Sequence, residues 1–156
     1  MKPHFTTIQD GKAALADMWL SYDILPEIDK IKGVVSERID TLTPDEISRA
    51  VVKLSVLLCS LGGLVAQIVS EANEGYIFRK FMYAWEFTTL KSDIKGAKAE
   101  SLALQNTIEH HRSEMIKRFI SDYMKAYKDD IERLVSSMQS RLKTLQSERI
   151  NSNNQT

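Results

Sequence analysis

Thr43-Pro44-Asp45-Glu46, with AVVKLSVLLCSLGGLVAQIV following at residues 50–69, decides how this chain folds. Thr43 is a helix N-cap residue, Pro44 suits the first helical position because it has no N–H to lose, and Asp45 and Glu46 face the positive end of the helix dipole. Glu46, three residues after Thr43, completes a capping box. A helix therefore starts here. Its apolar run approaches the length of a membrane span. Lys53 and Gln67 interrupt that run, Ser and Gly dilute it, and capped polar sequence precedes it, so the reading is a soluble helix buried on two sides. Cys59, between Leu57-Leu58 and Leu61, is then expected to be buried and structural. Gly62-Gly63 leaves room for a neighbouring backbone or a bend.

Downstream, the helical pattern resumes directly after Asn73-Glu74-Gly75, and one internal Gly costs a helix only about 1 kcal/mol. The helix is therefore expected to span 43–90. Its last part, Gly75 to Phe87, holds six of the twelve aromatic residues and the adjacent bases Arg79 and Lys80. At about 100° per residue, Phe78, Phe81 and Trp85 share one face, which can feed a core, and if Trp85 packs there Trp85→Ala should be costly; Tyr76, Tyr83 and Phe87 share another. The run from Thr88 to Gly96, with β-branched, Ser, Asp and Gly residues, predicts a break. A second long helix is expected at 97–148, with a seam through Ile116, Ile120, Tyr123, Tyr127, Ile131, Leu134, Met138, Leu142 and Leu145. Such a seam needs a partner helix.

Upstream, Lys12 to Leu20 and Pro26 to Ile39 read as two short helices within 8–40, the second carrying the stripe Ile28, Ile31, Val34 or Val35, and Ile39. Met1 to Gln9 is expected to be poorly ordered, and 151–156 to be a disordered tail. The fold class is all-α: a long antiparallel helical hairpin with two short N-terminal helices, oligomerising through coiled-coil-like seams. One helical domain, 1–150, accommodates this.

Composition narrows the function. One cysteine in 156 residues allows no disulfide framework within the chain, and Met1 to Asp10 lacks the apolar core of a signal peptide, so a cytoplasmic protein with no membrane partner is expected. The net charge of zero hides an asymmetry: residues 1–75 carry 7 Lys+Arg against 11 Asp+Glu, and residues 76–156 carry 14 against 10. The basic second half suits a polyanion, or head-to-tail association of unlike surfaces. No nucleophile with its base and no phosphate loop is visible, so the protein reads as a non-enzyme without catalytic residues, cofactor or metal. His110 and His111 are adjacent and diverge on a helix; with Glu114 they form at most half a metal site.

The basic residues Arg79, Lys80, Lys91, Lys95 and Lys98 bracket the aromatic helix end and the following break. Rings such as Tyr83 beside cations can stack bases and hold phosphates, whereas the same pattern also describes a solvated surface over a packed core. The heads of Arg79 and Lys80 are expected to reach solvent, so that replacing both leaves the fold intact. The run Thr89-Leu90-Lys91-Ser92-Asp93-Ile94-Lys95-Gly96-Ala97-Lys98-Ala99-Glu100-Ser101-Leu102-Ala103, with Tyr123, Ala126-Tyr127-Lys128, Leu134 and Met138-Gln139-Ser140-Arg141-Leu142, resembles phage recombination mediators of the UvsY type. The resemblance covers about residues 71–145. It implies a ring-forming protein that binds single-stranded DNA and helps a RecA-class recombinase displace single-strand-binding protein, without a nucleotide. It also implies that Arg79 and Lys80, followed by Tyr83 and Trp85, lie on the DNA-binding surface. The other reading is a helical scaffold or adaptor that acts only through protein contacts.

Overall fold

The computed structural model describes residues 3–94 and 96–153, with side chains from 9 to 151 apart from position 95. It is all-α: α1 (Pro3–Ser21), α2 (Ile24–Arg38), α3 (Pro44–Asp93), α4 (Ala97–Asn106) and α5 (Ile108–Asn153), with no strand among the described residues. Helix already begins at Pro3, so residues 3–9 are not the irregular terminus the sequence suggested. The expected tail is helical as far as Asn153; residues 154–156 lie outside the described residues.

The capping box forms as the sequence predicts. Thr43 donates its backbone N–H and its hydroxyl to Glu46 Oε2, each at 2.8 Å, and the Glu46 N–H donates to Thr43 Oγ1 at 3.3 Å. The Thr43 N–H bond, with the hydroxyl bond behind it, holds the Glu46 carboxyl below its ordinary value. From this start α3 passes through Gly62-Gly63 and Gly75 without a break. It ends where Thr88, Thr89 and Ser92 turn their hydroxyls back onto helix carbonyls at 2.7–3.0 Å, followed by Gly96 at φ +60°.

The single helix expected at 97–148 is two. Thr107, buried, departs to φ −99°, ψ 9°, and donates its hydroxyl to the Ala103 carbonyl at 2.8 Å. A β-branched residue whose side chain competes for a backbone carbonyl is a local reason for the interruption.

The chain forms two compact units. Unit II, Met18–Leu64 with Met124–Thr156, has an aliphatic core. Ile47, Leu54 and Leu61 of α3, each seven residues apart, are fully buried, as are Met124, Ile131 and Met138 of α5 and Leu25 and Ile28 of α2. Fully burying side chains of this size contributes about 1.5–3 kcal/mol each. Sequence spacing of seven is the coiled-coil repeat, with Val51, Leu58 and Val135 between those layers. Lys128 holds a place in the same repeat; its stem passes over Gly62 while its head pairs with Glu132 at 2.5 Å. Asp29 ties the short helices in, accepting from Trp19 Nε1 at 2.8 Å and Tyr127 Oη at 2.7 Å, the two rings meeting edge-on at 5.3 Å.

Two expectations fail in this unit. The apolar segment of α3 is not buried on two sides. Its 18-residue window has a mean hydropathy of 1.9, apolar enough to cross a membrane by length and composition, yet only 22% of it is buried. Val52, Val56 and Cys59 are exposed because they lie on the far side of the helix from Leu54 and Leu61.

Unit I, Met1–Asp17 with Val65–Tyr123, is closed by small and polar residues instead. Ala72 of α3, Ala99 and Ala103 of α4, and Glu114 and Ser121 of α5 are buried with Leu15 of α1. Asp10 of α1 accepts from Arg112 at 3.1 Å (Nε) and 2.6 Å (Nη2), which raises the Arg112 guanidinium above its ordinary value. The expected α5 seam is displaced here by one residue: Tyr123 is 44% exposed, and the inward positions are Glu114, Lys117 and Ser121. These three continue the 3-4 spacing with polar residues, which a search for apolar residues passes over.

Candidate functional site

The site is the α3 surface from Gly75 to Phe87, all within unit I. Its inward row is Gly75, Arg79, Met82 and Glu86, spaced 4, 3 and 4, and none of these is exposed. Gly75 matters because the α5 backbone comes close: a Cβ built there would lie 3.3 Å from Lys117 Cδ and 4.0 Å from Glu114 Cα. Two residues of the row have partners across the unit, Arg79 on Glu114 and Glu86 accepting from Asn106 Nδ2 at 3.0 Å.

Placing the row inward turns the aromatic residues outward. Phe78, Phe81 and Trp85, the face able to feed a core, are exposed, Phe81 by 61% and Trp85 by 62%. Ile77 joins them. Rings usually bury, but here Gly75 and Arg79 occupy the position facing α5.

Arg79 is not the solvent-facing cation expected. Its Nε pairs with Glu114 Oε2; the Arg79 side chain is 26% exposed and that of Glu114 only 5%. Among the described residues neither atom has a hydrogen-bond partner elsewhere, so Arg79 Nε rests on this ion pair. His111 Nδ1 lies 3.5 Å from the same Glu114 oxygen. Among the described residues no group of three or more His, Cys, Asp or Glu side chains is placed to hold a metal.

Lys80 is exposed, with Nζ 4.6 Å from the Tyr76 ring centroid. Tyr83 stacks on Phe87 at 6.2 Å and 10°, and Lys91 Nζ lies 5.8 Å from that Phe87 ring. Lys80, Tyr83 and Lys91 are thus brought onto one helix among rings. Lys98 is exposed on α4, beyond the break, and Lys95 lies outside the described residues. A cleft of about 650 Å³ opens beside the exposed stripe, with Phe78 and Phe81 on the α3 wall and His110 and Lys117 on the α5 wall. Phe78 meets His110 edge-on at 5.1 Å. The sequence offers His110 and Glu114 only as half a metal site and does not bring them or Lys117 to this cleft, although the 3-4 spacing of Glu114, Lys117 and Ser121 marks an inward row.

Chemically, this surface offers the exposed rings Phe78, Phe81 and Trp85 to planar groups and, against Tyr76 and Phe87, ammonium groups that suit anions. Compared with models of protein families, with curated proteins and with solved structures, the chain matches none.

Proposed function

We propose that the protein is a non-enzymatic, single-stranded-DNA-binding recombination mediator, working in the cytoplasm without a cofactor. The supporting observation is the exposure of Phe81 and Trp85 on a helix that also carries Lys80 and Lys91. A helix that leaves two large rings in water on one face and carries ammonium groups against Tyr76 and Phe87 on the next has parts suited to a sequence-tolerant single-strand surface, where bases stack and ammonium groups follow the phosphates. Lys80, Tyr83 and Lys91 on α3 and Lys98 on α4 are proposed as DNA contacts, and Lys95 is proposed from the sequence alone. Arg79 contributes by orienting α3 on Glu114 rather than by a free phosphate contact. Loading of a RecA-class recombinase against single-strand-binding protein belongs to the same proposal and rests on the UvsY-type resemblance.

The proposal includes an antiparallel hairpin and self-association. Antiparallel pairing is supported within unit I by contacts at 75/117, 79/114 and 86/106, which run in opposite sequence directions. Self-association is supported by Val52 and Val56, more than half exposed in an apolar stretch.

The decisive experiment is titration of a labelled oligo(dT) at two salt concentrations. Binding that weakens with salt is expected, with a slope of about 0.7 per phosphate contact in log–log form. Absence of binding at low salt would overturn the reading in favour of the protein-only adaptor.

A further inference from the structure

Unit II holds a groove unrelated to the aromatic surface. It runs between α2 and the first turns of α3, encloses about 590 Å³, and has an aliphatic lining of Ile31, Val34, Val35, Leu42 and Ala50. Four cations line it: Lys30 and Arg38 on α2, and Arg49 and Lys53 on α3. Two carboxylates, Glu27 and Glu46, line it too, and both are engaged. Glu27 pairs with Lys53 at 2.7 Å, and Glu46 is folded back onto the Thr43 N–H and hydroxyl. Glu46 keeps its charge and feels Arg38 and Arg49, so with Lys53 matched by Glu27 the set Lys30, Arg38 and Arg49 leaves a net excess of two positive charges around an apolar floor.

That combination selects its occupant. The floor has no ring on which a base could stack, so a nucleic acid would find charge without a platform. The groove is concave and walled by two helices, which a flat lipid surface cannot enter. α2 and α3 present no unpaired strand edge, so a peptide cannot add as a β-strand and must enter by side chains, as a helix laid in a groove. Its apolar stripe would meet Ile31, Val34 and Ala50. Carboxylates on both flanks of that stripe would meet Lys30 and Arg38 on one wall and Arg49 on the other.

We propose that the groove between α2 and α3 docks an acidic amphipathic helix of a partner protein. The proposal is independent of DNA binding by α3. The probe is a fluorescent helical peptide with Leu at i, i+3, i+4 and i+7 and Glu at the flanking positions, followed by anisotropy on the full chain. Two control peptides replace Glu by Lys or scramble the Leu positions. The Glu/Leu peptide is expected to bind in the micromolar range and both controls at least about tenfold more weakly. Arg38→Glu/Arg49→Glu should weaken it by about tenfold or more, and the exposed Lys30→Glu by a few-fold. Circular dichroism should report unchanged helix, and oligo(dT) affinity should be unaffected. No binding, equal binding of the scrambled peptide, or loss of binding only on Trp85→Ala would overturn the proposal. So would a fall in self-association of the peptide-free Lys30→Glu chain, since the occupant would then be a second copy.

Discussion

Replacing Arg79 by Met tests the architecture of unit I most directly. The substitution keeps the length of the stem but leaves the Glu114 carboxylate, 5% exposed, without the guanidinium that compensates it. Breaking a buried ion pair by removing one partner costs about 3–5 kcal/mol, because a charge stays behind in a poor solvent. Since Arg79 is itself 26% exposed, part of its charge is already hydrated, and the lower end, about 3 kcal/mol, is the expectation. For a chain of this size that corresponds to a fall in Tm of about 6–12 °C. Glu114→Gln should cost less, because the orphaned guanidinium has access to water and the amide keeps an acceptor. The double variant Arg79→Met/Glu114→Leu should recover most of the loss, since two apolar side chains of suitable volume replace two desolvated charges. Urea unfolding of the four proteins forms a double-mutant cycle, with Lys80→Ala as the exposed control. If Arg79→Met costs less than about 1 kcal/mol, the pair behaves as a surface ion pair and the inward placement of Arg79 is wrong.

Trp85→Ala should change stability by no more than about 0.5 kcal/mol, as befits an exposed side chain, while weakening oligo(dT) binding by about 1–3 kcal/mol through loss of one stacking platform. A core-sized loss of stability would refute the exposed placement. Cys59 should react with a thiol reagent at the same rate before and after denaturation, and a native rate suppressed by orders of magnitude would place it inside a core or an interface. Glu46, whose carboxyl titrates below its ordinary value, adds stability present above the usual glutamate range near pH 4.3 and lost as pH falls through its depressed value. Glu46→Gln should therefore flatten the acid limb of a stability–pH curve, and an unchanged limb would show that the box contributes nothing. Gly11→Val should destabilise by about 1–3 kcal/mol, because a Cβ at Gly11 already lies 2.7 Å from the Phe119 ring; Phe119→Leu in the same chain should return part of it.

The helices were legible where local chemistry specifies them. The capping box at Thr43 and the Thr88–Gly96 break are decided by a few neighbouring side chains, and both lie where the sequence places them. Faces were less legible, because the inward row of α3 passes from Ile47, Leu54 and Leu61 to Ala72, Gly75 and Arg79. A reading that assigns apolar residues to the core follows the first three and then jumps to Phe78, Phe81 and Trp85. The same substitution of polar for apolar residues on α5, at Glu114, Lys117 and Ser121, hid half of the candidate site. Thr107 was invisible for a different reason, since one Thr in a helix is usually tolerated and only its burial, with its hydroxyl on Ala103, makes it an interruption.

The change of inward residues along α3 has a consequence for amide hydrogen exchange. Amides near Leu54 and Leu61 open only when large aliphatic side chains leave a dry core, so they should exchange near the global limit. Those near Ala72, Gly75 and Arg79 are released by separating small side chains and one ion pair, and should exchange through smaller openings within the same continuous helix. Slow and fast amides would then alternate by region rather than by distance from the helix ends. A strand of DNA laid on Phe81 and Trp85 should slow the fast set selectively, reporting its own binding as added protection at residues it never touches.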